Sequence, residues 1–279
     1  MKKILKVIPY DSNWPDVFAS EASVISGVLR ENCVDIQHIG STAVPGLAAK
    51  PIIDIIVIVD NLLAAMDPLI SLGYACKGEY NIPMRIYFND KNGHDTVHLH
   101  VYSPNHPEIE LNLCFRDYLR NNPSGRDEYA DLKRRLVQDE SSSEKGNSVF
   151  TNYTLRKGDF IRDILKEAGF NKLRMLKCND ETEWAAAKHV RDGYFLRNYG
   201  IEDPDTWSFH HQDHAHLVLY QGIKIIGYAH IEFFPNKSAV IRVIVTHEND
   251  NNHNFANEFL LLIAQWLQIW GIKIMPKNQ

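Results

Sequence analysis

Residues 52–59 read IIDIIVIV, seven β-branched apolar side chains around one aspartate. A run this short is of strand length, not helix length. β-branched residues lose rotamer freedom in a helix and pack well on a pleated sheet. The run does not alternate apolar with polar, so both of its faces must be covered. That describes a central strand with helices against the sheet. The fold class that follows is α/β or α+β. A lone carboxylate in such a strand is costly unless something pairs with it. Asp54 is therefore a candidate site residue, and the surrounding segments should bring it a partner.

The flanking sequence supplies the other layers. Residues 13–32 keep a helical period, with Ser12 or Asn13 able to cap it. A short strand is expected at 34–39, then a structured loop over 40–51, rich in Gly, Pro and Ala. Asp60 should cap a helix ending near Gly73. Residues 80–88 and 96–102 look like a hairpin with its turn at 90–93. Helices are expected at 108–121, 125–138 and 149–168, and the polar run 139–147 separates the last two. Gly169 to Lys172 marks a boundary, which gives two domains, 1–170 and 171–279. The second begins with a strand at 173–177 and a helix at 180–199. Strands follow at 215–221, 224–233 and 239–246, then an apolar helix at 255–270 and a stub at 272–275.

Composition narrows the function classes. The chain of 279 residues carries a net charge of −5, which argues against a nucleic-acid partner and against binding to anionic membranes. No apolar run reaches the roughly 18 residues of a membrane span. Pro9, Tyr10 and Asp11 interrupt any signal-peptide core, so a cytoplasmic protein is expected. Cys33, Cys76, Cys114 and Cys178 have no metal-ligand spacing and are expected to be reduced and mostly buried.

The chemistry concentrates in residues 38–54, HIGSTAVPGLAAKPIID. Gly40, Ser41 and Thr42 leave a strand in a way that lets backbone N–H groups and a hydroxyl approach a phosphate. Lys50 can add a point charge. The plainer alternative is that Ser41 and Thr42 cap a turn while Asp54 pairs with Lys50 or His38. His98 and His100 alternate on a strand and so share a face. With His38 and Asp54 they would suit a transition metal; otherwise they hydrogen-bond to Asp54 and the backbone. Arg116 and Arg120 are one helical turn apart and suit an anionic ligand, or an ion pair with Asp117 or Glu110.

The stretch HIGSTAVPGLAAKPIIDI is similar to the signature of the GrpB family. The similarity continues through His98-Leu99-His100-Val101, through the segment from Phe115 to Arg120 and through the region of Tyr129, Leu132 and Lys133. It spans residues 5–168. The family in turn resembles the nucleotidyltransferase superfamily, where a Gly-Ser leads out of one strand and a pair of carboxylates on the next holds Mg²⁺. That resemblance implies Asp54, Ser41 and His100 as catalytic candidates. It implies Gly40, Ser41, Thr42, Lys50, Arg116 and Arg120 as binding residues for a nucleotide or another phosphate-bearing small molecule. Asp54, His98 and His100 become candidate ligands of a divalent metal, magnesium or another. The second carboxylate position is Ile56, so two-metal phosphoryl transfer is not expected.

The order of elements after residue 172 resembles the GNAT acetyltransferase fold. That likeness implies a cofactor site for acetyl-CoA built from Val243, Val245, Asn252 and Asn254. The turn after the fourth strand contains Glu248 and Asp250 and no glycine or arginine, so acetyl-CoA is expected to bind weakly or not at all. The chain ends just after a fifth strand, where GNAT domains continue, so a truncated module is expected, with a homodimer formed through residues 240–275. If the module were active, Glu232 and His230 would be base candidates. His210, His211, His214 and His216 with Asp213 are expected to form a surface loop, not a metal site. The alternatives to a phosphate-binding protein are an active N-acetyltransferase and a non-catalytic interaction scaffold.

Overall fold

The computed structural model describes residues 6–144, 150–246 and 254–276. The chain divides into two compact units. One comprises residues 1–80 and 84–170; the other comprises 81–83 and 171–279. Each has its own five-stranded sheet with helices. Among the described residues no helix is long and apolar enough to cross a membrane.

The first unit opens with α1 (Trp14–Leu29), followed by β1 (Cys33–Ile39) and β2 (Ile53–Val59). After α2 (Met66–Ser71) come β3 (Ala75–Cys76), β4 (Arg85–Asn89) and β5 (Val97–Tyr102). The strand order is β1-β2-β5-β4-β3. β2 is central, as its composition requires: Ile53, Ile55, Ile56, Val57 and Val59 are all buried. It runs antiparallel to β1 and parallel to β5, with Asp54 beside His98 and Ile56 beside His100.

Four helices follow: α3 (Pro107–Asn121), α4 (Pro123–Gln138), α5 (Asn152–Leu155) and α6 (Gly158–Glu167). They pack against the loop between β1 and β2. Val44, Leu47 and Ala48 of that loop join Leu119, Tyr129, Ala130 and Ile164 in one apolar cluster. The loop is thus clamped by its apolar residues, which fixes the Gly40-Ser41 turn relative to α4.

Several boundaries differ from the sequence reading. The helix after β2 is capped by Asn61, whose Oδ1 accepts from Ala64 N, and not by Asp60. It starts as a single 3-10 turn. The expected strand at 80–88 begins only at Arg85, because Tyr80 and Met84 take positive φ and bend the chain around Pro83. The expected helix 149–168 is broken between Leu155 and Gly158. The four cysteines are free but only half-buried.

The second unit comprises β6 (Leu173–Lys177), α7 (Glu181–Tyr199), β7 (His214–Gln221), β8 (Lys224–Phe234), β9 (Ser238–Thr246), α8 (Phe255–Ile269) and β10 (Lys273–Ile274). A capping box of Asp180 and Glu183 starts α7. β6 to β9 form an antiparallel meander, and β10 pairs in parallel with β9 at Ser238 and Ala239. This is the order of elements expected from the sequence.

Candidate functional site

A cleft of about 720 Å³ opens over the face of β2, β4 and β5 that carries Asp54, Arg85, Tyr87, His98 and His100. Asp54 Oδ1 lies 3.4 Å from His98 Nδ1 and 3.9 Å from His100 Nε2. The partner that Asp54 required is therefore a histidine pair one strand away. His98 Nε2 meets Asp95 Oδ1 at 2.7 Å, which sets the ring between two carboxylates. Burial opposes its charge, but the hydrogen bonds to Asp54 and Asp95 prevail and raise His98 to about 9. Burial likewise opposes ionisation of Asp54, and the contacts from His100 and His98 outweigh it, holding the carboxyl below the usual range. His100 differs. Its Nδ1 faces Arg85 Nη1 at 3.4 Å. A guanidinium only donates, so Nδ1 accepts and Nε2 carries the proton toward Asp54. Burial first, then Arg85, lowers His100.

Gly40 makes room for this arrangement. Its φ is +70°, and a Cβ there would fall 2.5 Å from Asp54 Oδ2. Any side chain would both strain the backbone and displace the carboxylate.

On the opposite wall Lys133 projects from α4. It is buried, and its Nζ donates to Ser41 Oγ at 2.9 Å. Lys133 stands four residues after Tyr129, on the same helix face, and its Nζ lies over that ring at 4.6 Å. Burial, then repulsion from Lys157 and Arg134, lowers the Lys133 amine to about 6. Lys50 and Lys157 share the ring of Tyr153, at 3.7 and 4.6 Å from its centroid. Burial lowers Lys157 to about 8, and Asp54 acts against that. Lys6 also lines the cleft.

The sequence candidates thus separate. Ser41, Lys50, Asp54, His98 and His100 line the cleft; Gly40, Thr42, Arg116 and Arg120 do not. Thr42 is buried beneath it, bonded to His38 Nε2 and Ile52 O. The two arginines, expected to hold an anion or an ion pair with Asp117 or Glu110, do pair with Asp117, and both also fasten the backbone. Arg116 Nη1 donates to His38 O at 3.0 Å and its Nε pairs with Asp117, while Arg120 donates twice to Ala43 O. Their spacing was right for a shared face, and that face meets His38 O near the end of β1 and Ala43 O in the turn after it. Sequence reasoning missed Arg85, Asp95 and Lys157 and gave Lys133 no role. A lysine at helical spacing from an aromatic core residue was the available signal for Lys133.

The expected metal set, Asp54, His98 and His100, does not fit a metal. Among the described residues no three His, Cys, Asp or Glu side chains are arranged to hold one. Both nitrogens of His98 face carboxylates, and Arg85 brings a cation against His100. Ile56 occupies the position of a second carboxylate and is fully buried.

Comparison with known proteins settles the family. A family model described as GrpB protein matches residues 4–167. The chain belongs to the GrpB family. A crystal structure of the conserved protein GrpB from Enterococcus faecalis aligns at a TM-score of 0.52 and 37% identity, over 58% of this chain and 96% of that one. The UPF0157 protein BH1888 of Halalkalibacterium halodurans is 36% identical over 59% of this chain and 82% of its own length. The UPF0157 protein YqkA of Bacillus subtilis is 38% identical over 49% of this chain, a match that spans only 40% of YqkA. The cleft lies wholly within the GrpB-matched region. A GNAT family acetyltransferase from Staphylococcus aureus aligns with 38% of the chain at 17% identity and a TM-score of 0.31, too distant a likeness to assign an activity.

In the second unit, Val243 and Val245 sit on β9, paired with β8. Asn254 caps α8 by accepting from Asn257 N, and Asn252 lies outside the described residues. His216 corrects the surface-loop expectation: it is buried on β7 and stacks on His230 at 4.6 Å. His230 is held by Arg191 Nη1 at 2.9 Å, and Arg191 is itself buried in a two-bond pair with Asp203. Glu232 is paired with Arg242. Both base candidates are thus engaged within the unit.

Proposed function

We propose that the GrpB unit binds a small molecule through its phosphate. The observation that carries this reading is the charge of the cleft. Lys6, Lys50, Arg85, Lys157 and the protonated His98 line it, against only the carboxylates Asp54 and Asp95 among the described residues. Lys133 is left out of this balance because its amine is lowered to about 6. A partly enclosed cleft with an excess of cations attracts an anion more strongly than the same charges on an open surface. The net charge of the whole chain is negative, so the excess is local. Ser41, at the start of a 3-10 turn, adds a hydroxyl. Two-metal nucleotidyl transfer is not part of the proposal, since Ile56 cannot bind a cation.

Thermal denaturation of the intact chain tests it, with tripolyphosphate, ATP and adenosine as probes. A ligand that binds only the native state raises its melting temperature. Both polyanions should do so and adenosine should not. Lys157→Ala should weaken the effect about tenfold in ligand concentration, the loss of one charged hydrogen bond. No shift with either polyanion, or the same shift in the variant, would contradict the assignment.

A further inference from the structure

We propose that Ser41 is a nucleophile with Lys133 as its general base, and that the pair transfers a phosphoryl group from an organic phosphate ester. The geometry is that of an activated serine. Lys133 Nζ stands 2.9 Å from Ser41 Oγ, and it is held there from a helix whose adjacent turn is core. The Lys133 stem is buried, while Ser41 lines the cleft. Tyr129 closes the far side, with its hydroxyl against Ser41. A lysine acts as a base only when it has lost its proton, and burial of this one, with Lys157 and Arg134 nearby, lowers it to about 6. Nothing in the packing demands a lysine here. An apolar side chain would fill the same stem volume without burying an amine, and the amine instead meets the Ser41 hydroxyl, which lines the cleft.

The step balances as follows. Ser41 Oγ attacks phosphorus, and its proton passes to Lys133 Nζ. The Oγ–P bond forms and the ester P–O bond breaks. The departing alkoxide, in line with Oγ on the far side of phosphorus, takes a proton from solvent and leaves as an alcohol, while Lys133 keeps the proton it took from Ser41. Water then attacks phosphorus from the side opposite Oγ and loses a proton to solvent; the Oγ–P bond breaks, phosphate is released, and Ser41 Oγ takes its proton back from the Lys133 ammonium. Lys50, Lys157 and Arg85 offset the charge on the phosphoryl oxygens. The choice of a phosphate ester rests on the proposed function; the Ser41–Lys133 pair does not.

Two probes separate those parts. Phenylmethanesulfonyl fluoride is uncharged and reports the nucleophile alone: Oγ bonds to sulfur and fluoride departs. The intact protein is incubated with it from pH 5 to 9, and the adduct is located by peptide mass spectrometry. Labelling of Ser41 should rise with pH and level off once Lys133 is neutral, near the value of about 6. Lys133→Met should slow it about 100-fold, the usual weight of a positioned base. Absence of a Ser41 adduct at every pH, or an unchanged rate in Lys133→Met, overturns the pair. If the variant does not fold, the wild-type profile decides, and a rate still climbing between pH 8 and 9 overturns it. p-Nitrophenyl phosphate is the second probe. Nitrophenol release by the wild type and none by Ser41→Ala supports the full proposal. Labelling without nitrophenol release keeps the nucleophile and overturns the phosphate-ester substrate.

Discussion

Asp54 and His98 show how much chemistry one strand position can carry. The carboxylate sits in an apolar strand, one glycine away from a steric clash, and it is tolerated because β5 supplies a ring that stays protonated. The sign for stability follows from linkage. A His98 raised from 6.5 to about 9 stabilises the native state fully below pH 6.5, and the contribution fades as pH rises through about 9. The His98 ring protons, followed by NMR, should therefore titrate near 9. Asp95→Asn should lower that midpoint, because it removes one of the two carboxylates. A midpoint near 6.5 in the wild type would mean that the carboxylates do not hold the proton. Asp54 was legible in the sequence because a carboxylate in a β-branched run is costly without a partner. Asp95 and Arg85 were not, because both reach the cleft through a register that only the folded sheet defines.

Among the elements, the loop between β1 and β2 matters most. It has little regular structure, and its order comes from apolar residues sunk among α3, α4 and α6, from Arg120 on the carbonyl of Ala43 and from Arg116 on the strand that enters it. Arg116, largely buried, satisfies His38 O at the end of β1. Arg116→Ala removes that charged donor and should destabilise the first unit by about 1–3 kcal/mol in urea unfolding. Arg116→Lys should recover part of the loss. A change below about 0.5 kcal/mol, the range of an ordinary surface substitution, would show that the bond is dispensable. The sequence announced this helix face correctly and left its target open. Helical spacing says which side chains share a face, but it does not say whether that face meets a ligand or a carbonyl. The helix break before Gly158 was likewise hidden, because an apolar period survives a short interruption.

Across the whole molecule, the two units were legible to different depths. The first was recognisable from separated motifs in order, and the family match over residues 4–167 agrees with that reading. The second showed only its order of elements, which the sheet β10-β9-β8-β7-β6 reproduces. Its buried centre of Arg191, Asp203, Tyr228, His216 and His230 was invisible, because charged and histidine side chains read as surface until burial is known. The central proposal concerns the first unit: its cleft is an anion site, and one of its cations, Lys157, is lowered to about 8 by burial. Proton linkage tests that directly. Tripolyphosphate should be titrated into the intact protein by calorimetry at pH 8, in two buffers of different ionisation enthalpy. Lys157, lowered to about 8, is half neutral there, and an adjacent anion favours its charged form. Binding should therefore take up roughly half a proton per site, seen as a buffer-dependent heat. Binding heats identical in the two buffers, or no binding at all, would contradict the account.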